Sequence, residues 1–171
     1  GGREYLTQVP GVANAPLDWS EPLVRLVRSA TLVVAADGGA NHLARIGVKP
    51  AAVVGDLDSL RPEVREWLGE ALLVPRLDQS FTDLDKTLAY VVDERGARRV
   101  TVLGATGGRL DHALENLALL ARWAGRAEVE LRDETTRIVA VRESAVFAVA
   151  PGSTVSLLPV GCCERVWPEG L

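Results

Sequence analysis

The sequence predicts an α/β protein, a parallel-sheet α/β N-terminal domain followed by a small, apparently truncated all-β C-terminal domain. Between residues 31 and 124, short apolar runs ending in Gly or Asp alternate with segments of helical periodicity, the signature of a parallel sheet with crossover helices. From Ala127 onward, AEVELRD, TRIVAVRE, AVFAVA and STVSLL follow one another with no helical segment between them. That change of style divides the chain into an α/β domain over 1–126 and a β region over 127–171.

Residues 1–16 are rich in Gly, Pro and polar side chains, and only Val12-Ala13 hints at a first strand. A helix is expected from Trp19 to Ser29, with Pro22 near its start and Leu23, Leu26 and Val27 at helical spacing. Thr31 to Ala36 reads as a buried strand ending at Asp37-Gly38-Gly39, and Ala40 to Ile46 as the helix behind it. The unit then repeats. Strand 51–55 leads through GDLDS to a helix over 62–68, and strand 71–75 through RLDQSFTD to a helix over 83–95. Strand 99–104 leads through GATGGR to a helix over 110–124. The expected buried stripes are Leu84, Leu88, Val91 and Val92 on the first of these last two helices, and Leu114, Leu117 and Ala121 on the second.

Composition narrows the function classes. A hydrophobic fraction of 47% with 25% charged residues is ordinary for a folded globular chain of 171 residues. A net charge of −4 gives no general basic field for a nucleic acid backbone, so anionic ligands must be met locally. The neighbours Cys162 and Cys163 have neither metal-ligand spacing nor the reach to staple the fold, which suits a reducing cytoplasm. No apolar run approaches the roughly 18 residues of a membrane span. The absence of Met, even at position 1, suggests a processed chain or a portion of a longer one.

The chemistry gathers at strand ends. In Ala51 to Ser59, an apolar run closes in Asp56 and Asp58, two carboxylates one residue apart. If the loop stays extended, both side chains point the same way and converge, and a hard divalent cation such as Mg²⁺ offsets their repulsion. A polar turn with solvated Asp side chains is the plainer reading. Asp37, Asp78, Asp83 and Asp111 are expected on the same sheet edge. Asp83 could join Asp56 and Asp58 around a metal, although Thr82 followed by an acidic first turn is also simply good helix capping. Asp85 reads as merely solvated. Gly104, Gly107 and Gly108 let backbone approach a ligand, and Arg109 at the helix entry offers a fork of donors to phosphate. The loop is neither a P-loop nor a dinucleotide fingerprint.

In order and spacing, VAADGGANHL, VVGDLDS, LDQSFTDLDKTL and LGATGGRLDHALENL resemble the thiamine pyrophosphokinase family over about residues 31–120. The resemblance implies a homodimer and Mg²⁺-dependent transfer of a pyrophosphoryl group from ATP to the thiamine hydroxyl, releasing AMP. It implies Asp56, Asp58 and Asp83 as the catalytic magnesium ligands, and Asp37 and Gln79 near the triphosphate and thiamine. It implies Arg109, Asp111 and Asn116, beside Gly104, Gly107 and Gly108, as the nucleotide contacts. The family's late Ser- and Asn-containing segment, which closes the thiamine pocket, has no match before Leu171. Two alternatives stay open: a diphosphokinase acting on a hydroxymethyl pterin, and a nucleotide- or thiamine-binding sensor without turnover.

Overall fold

The computed structural model describes residues 9–170, so residues 1–8 of the weakly patterned stretch 1–16 lie outside them. The elements run β1 (Val9–Val12), α1 (Glu21–Arg28), β2 (Val34–Ala36), α2 (Gly39–Arg45), β3 (Ala52–Gly55), α3 (Pro62–Leu68) and β4 (Leu73–Pro75). Then come α4 (Asp83–Ala89), β5 (Arg99–Leu103), α5 (Leu110–Trp123), β6 (Glu128–Arg132) and β7 (Arg137–Val139). Helix starts follow their local chemistry. Pro22 and Pro62 occupy the first turns of α1 and α3, where a missing N–H costs nothing. The Thr82 side chain caps α4 by accepting from the Asp85 N–H at 3.3 Å.

The strands form one sheet in the order β4-β3-β2-β1-β5-β6-β7, parallel except for β7, which pairs antiparallel with β6. Apolar residues cover both faces, as a parallel sheet requires. On one face, Val34, Val54, Val100, Val102 and Leu131 pack with Leu84 and Leu88 of α4 and Leu119, Leu120 and Trp123 of α5. On the other, Val12, Ala35, Val53 and Leu103 pack with Leu23 and Val27 of α1, Leu43 of α2 and Val64 of α3.

Three expectations are corrected. The weakly signalled first strand is the centre of the sheet, paired to both β2 and β5. The expected α5 stripe is rotated: Leu114 is 57% exposed, and Asn116, Leu119, Leu120 and Trp123 turn inward instead. The boundary at 126/127 does not hold either. β6 continues the main sheet through five parallel pairs, from Arg99↔Glu128 to Leu103↔Arg132, because its length and apolar alternation match the open edge of β5. The chain divides instead into a unit ending at residue 140 and a second over residues 141–171. The described part of that second unit, 141–170, holds no strand, and its apolar runs are exposed.

Asp85 is also corrected from solvated to structural. It is 5% exposed and accepts from Trp123 Nε1 at 2.8 Å and from the half-exposed Arg122 guanidinium, tying α4 to α5. Asp85→Ala leaves the buried indole N–H without an acceptor, so denaturant melts should show a loss of about 2 kcal/mol. Asp85→Ala combined with Trp123→Phe should cost less than the sum of the two single changes.

Candidate active site

In an open α/β sheet, ligands meet the carboxyl ends of the strands, and the crevice is deepest where neighbouring strands send their chains opposite ways. Here that point lies between β1 and β5. The two exits run together, with Ala13 N donating to the Leu103 carbonyl and Ala15 N to the Gly104 carbonyl, both at 2.8 Å. The loops after β2, β3, β4 and β5 all open on this edge, as the motif positions predict.

After β2 and β3 the carboxylates converge. Oxygens of Asp37, Asp56 and Asp58 all lie within 4.8 Å of one another. The convergence does not come from an extended segment, as the spacing suggested. Leu57 sits at φ 67 and Asp37 at φ 40, both in left-handed backbone that a bulky residue adopts only when its surroundings hold it there. The restraints are visible. Asp58 N points at Asp56 Oδ1 (3.4 Å), and Ser59 N donates to Asp37 Oδ2 (3.1 Å). The Asn41 amide clamps the same loop, donating to the Ser59 carbonyl at 2.9 Å and accepting from Arg61 N at 3.1 Å. Gly55 closes the floor, since a Cβ there would stand 2.9 Å from the Asp37 Cβ and 3.0 Å from Asp83 Oδ1.

Charge in this cluster is unevenly satisfied. Asp37 is 2% exposed, and its Oδ1 is buried with no hydrogen-bond partner among the described residues. Burial pushes its carboxyl above the ordinary value, the Ser59 bonds oppose that, and repulsion from Asp83 and Asp56 adds to it. Asp56 is held below its ordinary value, chiefly by Gln79, whose Nε2 donates to Oδ2 at 3.2 Å. Asp83 stands beside Gly55 but gives its Oδ1 to the nearly buried ammonium of Lys86 at 3.1 Å. The trio brought together is therefore Asp37, Asp56 and Asp58, with Asp83 adjacent and paired. Three carboxylates converging on one point, with an Asp37 oxygen left unpartnered among them, suit a hard divalent cation.

The nucleotide candidates lie at the start of α5. The Arg109 fork is bidentate on Asp111, at 3.1 and 2.5 Å, and this bond holds the exposed Asp111 carboxyl down to about 2. Asn116 does not reach outward: it is 8% exposed, and its Nδ2 donates to the Ala105 carbonyl at 2.9 Å. Asp78 is exposed and caps its own turn through Ser80 N at 2.8 Å.

Sequence reasoning passed over Asn14 and Asn41, and put Lys86 on the face of Asp83 without a role. Lys86 was findable from its i, i+3 spacing to Asp83. Asn14, whose side chain packs where a Gly38 Cβ would fall, carried no local signal.

A family model described as thiamin pyrophosphokinase, catalytic domain, matches residues 23–131. Thiamine pyrophosphokinase 1 of Oryza sativa subsp. japonica is 34% identical over 143 residues, covering 70% of this chain and 51% of that protein. Thiamine pyrophosphokinase 1 of Arabidopsis thaliana is 33% identical over 146 residues, covering 72% and 54%. Among solved structures, the thiamine pyrophosphokinase of Bacillus subtilis superposes with a TM-score of 0.69 at 28% identity, covering 78% of this chain and 64% of that one. The chain spans about half the length of the curated relatives it matches.

Proposed function

The chain belongs to the thiamin pyrophosphokinase family, and on that footing we propose that it transfers a pyrophosphoryl group from ATP to the hydroxyl of thiamine. The observation that carries the reading is the cluster of Asp37, Asp56 and Asp58 at the strand ends, with a buried carboxylate oxygen left open. Mg²⁺ would be held by Asp56 and Asp58 with Asp37, and by Asp83 if Lys86 releases it. When bound, the ion neutralises charge on the phosphate oxygens.

The reaction is a displacement at the β-phosphorus. The alcohol oxygen forms the new O–P bond, the bridge to the α-phosphate breaks, and AMP leaves. Such transfers depend on positioning and charge stabilisation, which fits a site rich in Asp with Arg109 beside it. Gln79 holds Asp56 in register, and Asn41 and Ser59 hold the acidic loop. The glycine loop after β5, with Arg109 and Asp111, receives the nucleotide.

The test is incubation with ATP, Mg²⁺ and an acceptor. AMP and thiamine diphosphate should form only when thiamine is present. AMP appearing only with a hydroxymethyl pterin would reassign the acceptor, and binding without AMP would make the chain a sensor.

A homodimer is also inferred, with part of its contact in the second unit. Val146, Leu158 and Trp167 are exposed apolar side chains that a second copy would cover. Light scattering should give twice the chain mass at micromolar concentration; a monomer throughout would contradict this. Among the described residues no helix is long and apolar enough to cross a membrane. The free thiols Cys162 and Cys163 suit the cytoplasm.

A further inference from the structure

Resting on the reading of the crevice as an ATP site, we propose that Asp133 and Thr106 form a brace that sets the conformation of the 104–108 loop for nucleotide, with Asp133 acting as a positioning residue. Asp133 lies beyond residues 23–131, the part of the chain the family model matches. The loop needs external support, because Gly104, Gly107 and Gly108 all have positive φ and contribute no side chains to anchor it. Two contacts hold its middle. One is the Asn116 amide on the Ala105 carbonyl. The other is the Thr106 hydroxyl, which donates to Asp133 Oδ2 at 3.0 Å.

Asp133 is well placed to act as a fixed post. The register Leu103↔Arg132 sets it beside the first residue of the loop. Its Oδ1 accepts from Thr135 N at 2.9 Å, Thr136 N at 2.7 Å and Thr135 Oγ1 at 3.2 Å, while its own N–H donates to the Thr136 carbonyl at 3.0 Å. One oxygen therefore locks the carboxylate to its own turn, and the other reaches across to Thr106. Burial pushes this carboxyl up, but the bonds from Thr135, Thr136 and Thr106 outweigh it and keep it ionised. The bond to Thr106 is thus charge-assisted, the stronger class. Losing it frees Thr106 and the two glycines after it, and nucleotide must then order them on binding.

The discriminating variant is Thr106→Val, which removes the hydroxyl at nearly constant volume and leaves the 133–136 turn intact. By calorimetry with Mg²⁺ and a non-hydrolysable ATP analogue, its Kd should rise about tenfold, and amides 104–108 of the free protein should exchange faster. The KM for ATP should rise in step, while the KM for thiamine stays at its wild-type value. Thr106→Ser should restore binding to within about twofold, since it keeps the donor. Asp133→Ala should weaken binding as Thr106→Val does, and the double variant should be no worse than either. Wild-type affinity in Thr106→Val overturns the brace and leaves the ATP reading standing. Weakened binding that Thr106→Ser does not rescue also overturns it. If the wild-type protein itself binds no nucleotide with Mg²⁺, the ATP reading fails and the brace falls with it.

Discussion

Asp37→Asn should raise the melting temperature of the metal-free protein at neutral pH while lowering thiamine-dependent AMP release at least about a hundredfold. Even partners one shell out from a metal are worth about 10- to 100-fold, so a direct ligand should be worth no less. The stability gain follows from the charge. Asp37 is buried with one oxygen unpartnered and repelled by Asp83 and Asp56, so its folded carboxyl titrates above the ordinary value of 3.8. A raised value means that the fold binds this proton more tightly than the unfolded chain does. The penalty is absent below the unfolded value and develops fully as pH rises through the folded one. Asn carries no charge at any pH and can still accept from Ser59 N. The gain should therefore be present at pH 7 and vanish when the melts are repeated near pH 3.5. Loss of stability at pH 7 would mean that Asp37 is a structural cap and not a ligand.

Gly39→Ala should be the most disruptive glycine-to-alanine change among the described residues. The new Cβ would stand 1.8 Å from the Val12 carbonyl oxygen and 2.7 Å from its carbon, both main-chain atoms of the central strand. Neither can rotate away, so α2 must lift off β1, and the Asp37 turn at its N-terminus moves with it. Overpacking of this kind costs about 3 kcal/mol or more, which for a domain of this size lowers the melting temperature by about 10 °C. Gly11→Ala is the internal control. Nothing lies within 4 Å of its Cβ position, and its φ is not positive, so it should be neutral or slightly stabilising. Equal melting temperatures for the two variants would contradict the close packing of α2 on β1.

Where local pattern and tertiary role agreed, the fold was legible. The strands at 34–36, 52–55 and 99–103 are apolar runs closed by Gly or Asp, and their loops met at one sheet edge as expected. β1 was not legible, because Pro10 and Gly11 read as loop chemistry. The sheet tolerates them since pairing with β2 begins only at Gly11, past the proline. The C-terminal β runs failed in the opposite direction. Alternating apolar residues make a strand only with a partner edge, which 128–132 finds on β5, whereas 145–150 and 153–158 form no strand. At the site, the expected proximity of Asp56 and Asp58 is what the structure shows. The position of Asp37 beside them, and the pairing of Asp83 with Lys86, depend on a left-handed Asp37 and on the packing of α4. The i, i+3 spacing of Lys86 to Asp83 was there to be read, whereas the left-handed Asp37 has no signature in spacing. Asp85 was misread for a similar reason, since its partners lie 37 and 38 residues away on α5.

The Asp37, Asp56 and Asp58 cluster is expected to bind a divalent cation together with nucleotide. Thermal melts of wild type and Asp56→Asn, each with and without Mg²⁺ plus a non-hydrolysable ATP analogue, test it most directly. Wild type should gain several degrees only when both ligands are present, about 2.7 kcal/mol at a hundredfold excess over Kd, and Asp56→Asn should keep its basal melting temperature but lose most of that gain. A wild type indifferent to Mg²⁺ and nucleotide, or an Asp56→Asn protein that gains as much as wild type, would contradict it.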